Sequence, residues 1–275
     1  MGSIKFSICN EIFRGWDLEM IFDYVSSVGY EALEIAPFTL TDDVRKLSAE
    51  ERRRIRELAD SYGVGIAGLH WILVTPKGLH ITHPELGVRR KTIEYIKALI
   101  KFNSDIGGKV LVVGSPEQRN VLPGVTRDRA WNYARGAFRE CSLYAEEYDV
   151  ILCLEPLARH LTNFINTAEE AMRMIDEVAH PNFKLILDVY SMCDEGRPIG
   201  SIIRSAKGYL AHFHANDDNK KGPGFGNVNY REVANALIEI GYSGYVSVEV
   251  FDFKPGPEYI AERSLENLRK FFRGA

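Results

Sequence analysis

The chain has 275 residues, with 34 Lys and Arg against 38 Asp and Glu and a formal net charge of −4. A hydrophobic content of 45% excludes a mainly disordered state and suffices for one large core. The acidic balance argues against grip on nucleic acid by net charge, and no run of about 18 apolar residues offers a membrane span.

The N-terminus, MGSIKFSICN, lacks the apolar stretch of a signal peptide. Gly2 after Met1 reads as a cloning remnant as readily as a lipidation signal. Cys9, Cys141, Cys153 and Cys193 show no close-pair spacing, which predicts a reduced, cytoplasmic chain.

In chain order, short runs rich in Val, Ile and Leu read as strands buried on both faces. They are KFSIC from Lys5, ALEI from Ala32, GIAGL from Gly65 and KVLVV from Lys109. VILCLE from Val150, FKLILD from Phe183, YLAHFH from Tyr209 and YVSVEV from Tyr245 complete the set. Helical spacing occupies 17–28, 49–62, 84–106, 126–148, 167–178, 198–207, 230–240 and 257–272. Ser48 and Glu51 form a capping-box pattern, and Gly63, Gly107 and Gly241 stand where helices should end. Strand-then-helix repeats without a linker predict an α/β fold: a closed (β/α)8 TIM barrel as a single domain over 1–275. A doubly wound open sheet is the competing architecture. The loops after strands two, three, four and seven are the long ones, on the face where such barrels build their sites.

Four polar residues end the last four strands: Glu155, Asp188, His214 and Glu249. In a barrel they converge at one rim. Buried carboxylates are costly unless paired or bound to a cation. Three carboxylates and an imidazole make a full ligand set for a divalent ion, with Mn²⁺, Mg²⁺ or Co²⁺ suited to oxygen-rich donors. A set of separate strand-end groups, each hydrogen-bonded to a loop, is the alternative.

These residues sit in Leu154-Glu155-Pro156-Leu157, Leu187-Asp188, His212-Phe213-His214 and Ser247-Val248-Glu249. With the NFINT segment from Asn163 and Thr82-His83-Pro84, they resemble the D-tagatose 3-epimerase family of the xylose-isomerase-like barrels. The resemblance implies that the quartet holds Mn²⁺ and that Glu155 and Glu249 are also the catalytic acid/base pair. It also implies a small carbohydrate substrate and a homo-oligomer built through surfaces near the barrel mouth. An ion on a keto oxygen and its neighbouring hydroxyl acidifies the adjacent C–H. One glutamate removes that proton to form an enediolate, and the other returns one: epimerisation or isomerisation.

The chain departs from the family at three substrate positions. Leu161 stands for a glutamate, Ser191 for a histidine, and Lys220 takes the place of an arginine. Candidate substrate contacts are therefore His70, Trp71, Glu34, Phe38, Arg119, Arg159, Ser191, Asn216, Lys220 and Phe225, the last as a lid on a Gly-rich loop. Arg119, Arg159 and Lys220 together point to a carboxylated or oxidised sugar. They support a second reading, a lyase of the same superfamily (decarboxylase, dehydratase or deglycosylase).

Gly63-Val-Gly65-Ile-Ala-Gly68 matches a dinucleotide fingerprint formally, but a helix precedes it and the third strand runs through it. His80 and His83 read as loop residues, and His212 as a residue one layer below His214. A three-zinc endonuclease is disfavoured by only seven histidines and the charge of −4. A non-catalytic metabolite-binding barrel is disfavoured by the intact quartet.

Overall fold

The computed structural model describes residues 3–273, so Met1 and Gly2 of the lipidation pattern lie outside the described residues. Eight parallel strands close in sequence order, with β1 hydrogen-bonded to β8. They are β1 (Lys5–Cys9), β2 (Ala32–Ile35), β3 (Gly65–Leu69), β4 (Val110–Val113), β5 (Ile151–Leu154), β6 (Phe183–Asp188), β7 (Leu210–Ala215) and β8 (Tyr245–Val248). The closed order excludes the open doubly wound sheet.

The helices are α1 (Leu18–Val28), α2 (Ala49–Ser61), α3 (Leu86–Asp105), α4 (Arg127–Glu147), α5 (Ala168–Val178), α6 (Val189–Met192), α7 (Ile199–Ser205), α8 (Tyr230–Glu239) and α9 (Pro257–Phe272). Side-chain caps mark several starts: Asp17, Thr126, Thr167 and Asn229 each accept from a first-turn N–H, and Ser48 and Glu51 form a full capping box. The short α6 is absent from the sequence reading. Asp188 opens it by accepting the Ser191 N–H at 2.7 Å, a local cap too short for periodicity to register. Among the described residues, no helix is long and apolar enough to cross a membrane.

The strands pack two ways because alternate residues face opposite sides. Leu111, Val113, Leu152, Leu154, Leu185 and Leu187 join the large core between barrel and helices. The other phase faces the lumen, where Val110, Val112, Cys153 and Ile186 form a small separate apolar plug. One pleat further toward the C-terminal ends, the same phase carries Glu155 and Asp188. The barrel thus has an apolar lower lumen and a polar upper rim. Gly68 permits a close approach: a Cβ there would stand 2.0 Å from the Val110 carbonyl oxygen. That is a strand–strand reason for a glycine that also completes the false dinucleotide pattern.

The loop over 155–167, after β5, belongs with the long ones, a correction to the sequence reading. All four cysteines are free thiols, three of them buried.

Candidate metal centre and cavity

Glu155 follows β5, Asp188 ends β6, His214 lies in β7 and Glu249 follows β8. Asp188 and His214 are register partners, which sets them side by side. One donor atom from each of the four residues lies within 4.8 Å of the others, and all four are buried. His214 Nδ1 is central: 3.1 Å from Glu249 Oε2 and 3.8 Å from Glu155 Oε1. It makes no aligned hydrogen bond, although it is fully buried.

The other ring nitrogen explains this orientation. His214 Nε2 donates to Glu34 Oε1 at 3.1 Å, and His212 Nε2 donates to Glu34 Oε2 at 2.8 Å. Glu34 is fully buried in β2, on the far side of the lumen. Burial alone would raise its carboxyl, but the two imidazoles beside it hold it well below the usual range. With Nε2 held on the Glu34 carboxylate, Nδ1 is the nitrogen that faces the cluster; burial works downward on the ring, but the Glu249 and Glu34 charges hold it well above its usual value, and a cation at the cluster would take the place of the Nδ1 proton. Asp188 is oriented in the same way: Ser191 N–H donates to one oxygen and the Asn216 side-chain amide to the other.

The electrostatics are those of a site short of positive charge. Burial pushes Glu155 up to about 8; His214 opposes this, while the Glu249 and Asp188 charges add to it. Burial lifts Asp188 to about 6, with Glu249 adding to the effect. Glu249 itself ends below its usual value because His214 outweighs its burial. Three buried carboxylates around an unpartnered imidazole nitrogen are a donor set that a divalent cation would compensate. The residues present therefore fit such an ion.

Above the cluster opens a cavity of about 140 Å³. Glu155, Glu249 and His70 line its floor, and Trp71 and Lys220 its side. A larger groove of about 740 Å³ between α1 and α9 contains none of these residues and belongs to the outer helical shell. His70 Nε2 is 2.8 Å from Glu11 Oε2. Its ring is pushed up to about 9: burial works downward, but the Glu11 charge and hydrogen bond prevail.

The remaining sequence candidates lie elsewhere. Glu34 sits behind the histidines, where it orients them. Phe38 is 38% exposed and outside the cavity lining. Arg119 is 2% exposed and packs beneath the rim, its guanidinium donating to the carbonyls of Val113 (3.3 Å) and Ile165 (3.4 Å). Arg159 pairs with Asp194 at 2.9 Å on the surface. Ser191 and Asn216 serve Asp188 and do not line the cavity. Phe225 packs edge-on against Tyr259 of α9 at 5.8 Å rather than over the opening. For Arg119, Arg159 and Phe225 the reason is shared: long side chains on loops found partners that lie far away in sequence. Glu11, Tyr190, Leu157 and Pro116 were missed. Only Phe251, two residues past Glu249, carried a signal.

A family model described as the xylose isomerase-like TIM barrel matches residues 22–271. A D-psicose 3-epimerase of Ruminiclostridium cellulolyticum is 30% identical over 86% of this chain and 81% of its own length. An L-ribulose 3-epimerase of Mesorhizobium japonicum is 26% identical over 90% of this chain and 80% of its own. Among solved structures, D-psicose 3-epimerase from Clostridium cellulolyticum H10, crystallised with D-tagatose, superposes with a TM-score of 0.86 at 24% identity, covering 98% of this chain and 99% of that one. The chain belongs to the xylose isomerase-like TIM barrel family, as an enzyme of the isomerase/epimerase class.

Proposed function

We propose that this protein is a divalent-metal-dependent epimerase of a ketose or keto-sugar derivative. Glu155, Asp188, His214 and Glu249 are the residues that would hold the ion, with Mn²⁺ the first choice and Mg²⁺ or Co²⁺ alternatives. The observation that carries the reading is the buried cluster of these four donors on the rim of the cavity floor. The ketose 3-epimerases among the relatives support the sugar as substrate.

When bound, the ion supplies Lewis acidity to a carbonyl oxygen and its neighbouring hydroxyl. The remaining work falls to side chains of the chain. Asp188 and His214, each tied from behind, keep the donors in place. Glu155 and Glu249 come from β5 and β8, with His214 Nδ1 between them, so a substrate carbon above the cluster has a carboxylate on either side. One removes the proton next to the carbonyl to give an enediolate, and the other delivers a proton to the opposite side of the same carbon. Trp71, Tyr190 and Phe251 wall the site and limit water. The lyase alternative rested on Arg119, Arg159 and Lys220 as anchors for an acid group; the two arginines are engaged elsewhere, and Lys220 alone lines the cavity.

The test is solvent deuterium exchange by Mn²⁺-loaded protein on D-fructose, D-psicose and L-ribulose. One deuterium should enter the carbon next to the carbonyl with no change of skeleton. Glu155→Gln and Glu249→Gln should each slow this by about 10²–10⁴-fold. Loss of carbon dioxide, water or an aglycone would transfer the site to lyase chemistry. Absence of both bound metal and exchange would overturn the enzyme assignment of these residues.

A further inference from the structure

Glu155, Asp188, His214 and Glu249 do not exhaust the donors at the barrel rim. Glu11 lies in the turn after β1, which flanks β8 on the side opposite β7, and His70 follows β3. One donor atom from each of Glu11, His70 and Glu249 lies within 4.8 Å of the others. All three are buried: Glu11 and Glu249 are 4% exposed and His70 is 1% exposed. Glu11 Oε2 meets His70 Nε2 at 2.8 Å, a single hydrogen bond that leaves Glu11 Oε1 without a partner among the described residues. His70 Nδ1 also makes no hydrogen bond, and it faces Glu34 Oε1 at 3.9 Å. Glu34 thus stands behind His70 as it stands behind His214, and in each ring the other nitrogen is turned toward a rim carboxylate. An imidazole backed by one carboxylate and fronted by others has the setting of a metal-binding histidine.

The charge balance points the same way. Glu11, Glu34, Glu155, Asp188 and Glu249 put five carboxylates in one region, each at most 5% exposed. The Arg119 guanidinium, whose charge acts on Glu155, and one divalent ion offset three of these charges between them. Two negative charges then remain beside neutral imidazoles, and buried charge without compensation is expensive. A second divalent ion offsets both. We propose that Glu11, His70 and Glu249 form a second divalent-cation site, which shares Glu249 with the first. Two carboxylates and an imidazole again suit Mn²⁺ or a related ion. The ion takes the place of the proton that joins His70 Nε2 to Glu11 Oε2, and Glu11 Oε1 gains the partner it lacks. Three protein donors leave coordination positions open. His70 and Glu249 line the cavity, so the second ion faces the same occupant as the first. The inference rests on the Glu155, Asp188, His214 and Glu249 cluster as the first metal site.

The test is calorimetric titration and metal analysis of the full-length protein with Mn²⁺, followed by electron paramagnetic resonance. Two ions per chain should bind in separate steps. Ions that share a carboxylate should spin-couple, so the resolved signal of isolated Mn²⁺ should be lost as the second step fills. Glu11→Gln keeps the shape and removes a charged donor. It should weaken one step by at least the roughly 10–100-fold that loss of a partner behind a ligand costs, and leave the other step unchanged. The uncoupled signal should then return. One ion per chain in the wild type overturns the second site and leaves the first intact. A second ion without spin coupling also overturns it, because that ion lies elsewhere on the molecule. Glu11→Gln with both steps unchanged does the same. No bound ion at all overturns the first metal site, and this inference with it.

Discussion

Glu34 Oε1 accepts a hydrogen bond from His214 Nε2 at 3.1 Å, reaching across the barrel lumen from β2 to β7. This contact determines which imidazole nitrogen faces Glu155 and Glu249. A carboxylate behind a metal-binding histidine fixes its tautomer and raises its basicity, and removing such a partner typically costs metal affinity. Glu34→Gln keeps the shape and loses the charge. Its Mn²⁺ affinity should fall by about 10–100-fold in a calorimetric titration. An unchanged Kd would remove Glu34 from any orienting role.

Gly114 tests the position of the Glu155 carboxylate. A Cβ added at Gly114 would lie 1.8 Å from Glu155 Oε2. The atom struck is the mobile end of a side chain, so Gly114→Ala should displace the carboxylate and leave the barrel folded. Metal affinity and turnover should drop sharply, with Tm within about 3 °C of the parent. A fully active Gly114→Ala protein would show that Glu155 works from another position.

Arg159 tests the relocation of a sequence candidate. Its side chain is 55% exposed and paired with Asp194 at 2.9 Å. Surface pairs of this kind contribute about 0–1 kcal/mol. Arg159→Ala should therefore unfold at nearly the same denaturant concentration and keep its kcat/KM. A large rise in KM would return Arg159 to the substrate.

His80 gives the fold a dependence on pH away from the cavity. Burial, aided by the His83 charge nearby, lowers its imidazole to about 4. Its Nε2 has no hydrogen-bond partner, and Nδ1 meets Thr82 Oγ1 at 3.3 Å. The unfolded chain takes up this proton near the usual value of about 6.5 and the folded one only near 4, so the unfolded state binds more protons between them. The His80 contribution is therefore full above about 6.5 and is lost as pH falls toward 4. Unfolding free energies of wild type and His80→Gln should converge or cross over that window. A pH-independent difference would contradict the burial of a neutral ring.

Strand and helix positions were legible in the amino-acid order because a strand buried on both faces must be continuously apolar and a surface helix must repeat near 3.6. Eight such pairs leave few topologies, and the closed barrel is one of them. The rim residues were legible for the same reason: Glu155, Asp188, His214 and Glu249 interrupt apolar runs at their C-terminal ends, and the structure brings the four together. His212 was legible as the layer below, through the period of two.

The tertiary structure alone decided the rest. Glu34 looked like a rim residue because it stands near the end of an apolar run, yet closure of the barrel through β1 and β8 brings β2 within reach of β7 and turns Glu34 toward two histidines. Arg119, Arg159 and Phe225 looked free because their partners, the Ile165 carbonyl, Asp194 and Tyr259, lie on other loops and on α9. The aromatic wall of Trp71, Tyr190 and Phe251 draws on two loops and the short helix α6, and no spacing in the chain relates the three. Periodicity records which face of an element is buried. It carries no record of which distant side chain a loop residue will meet, because that is set by how the loops fold back over a closed barrel.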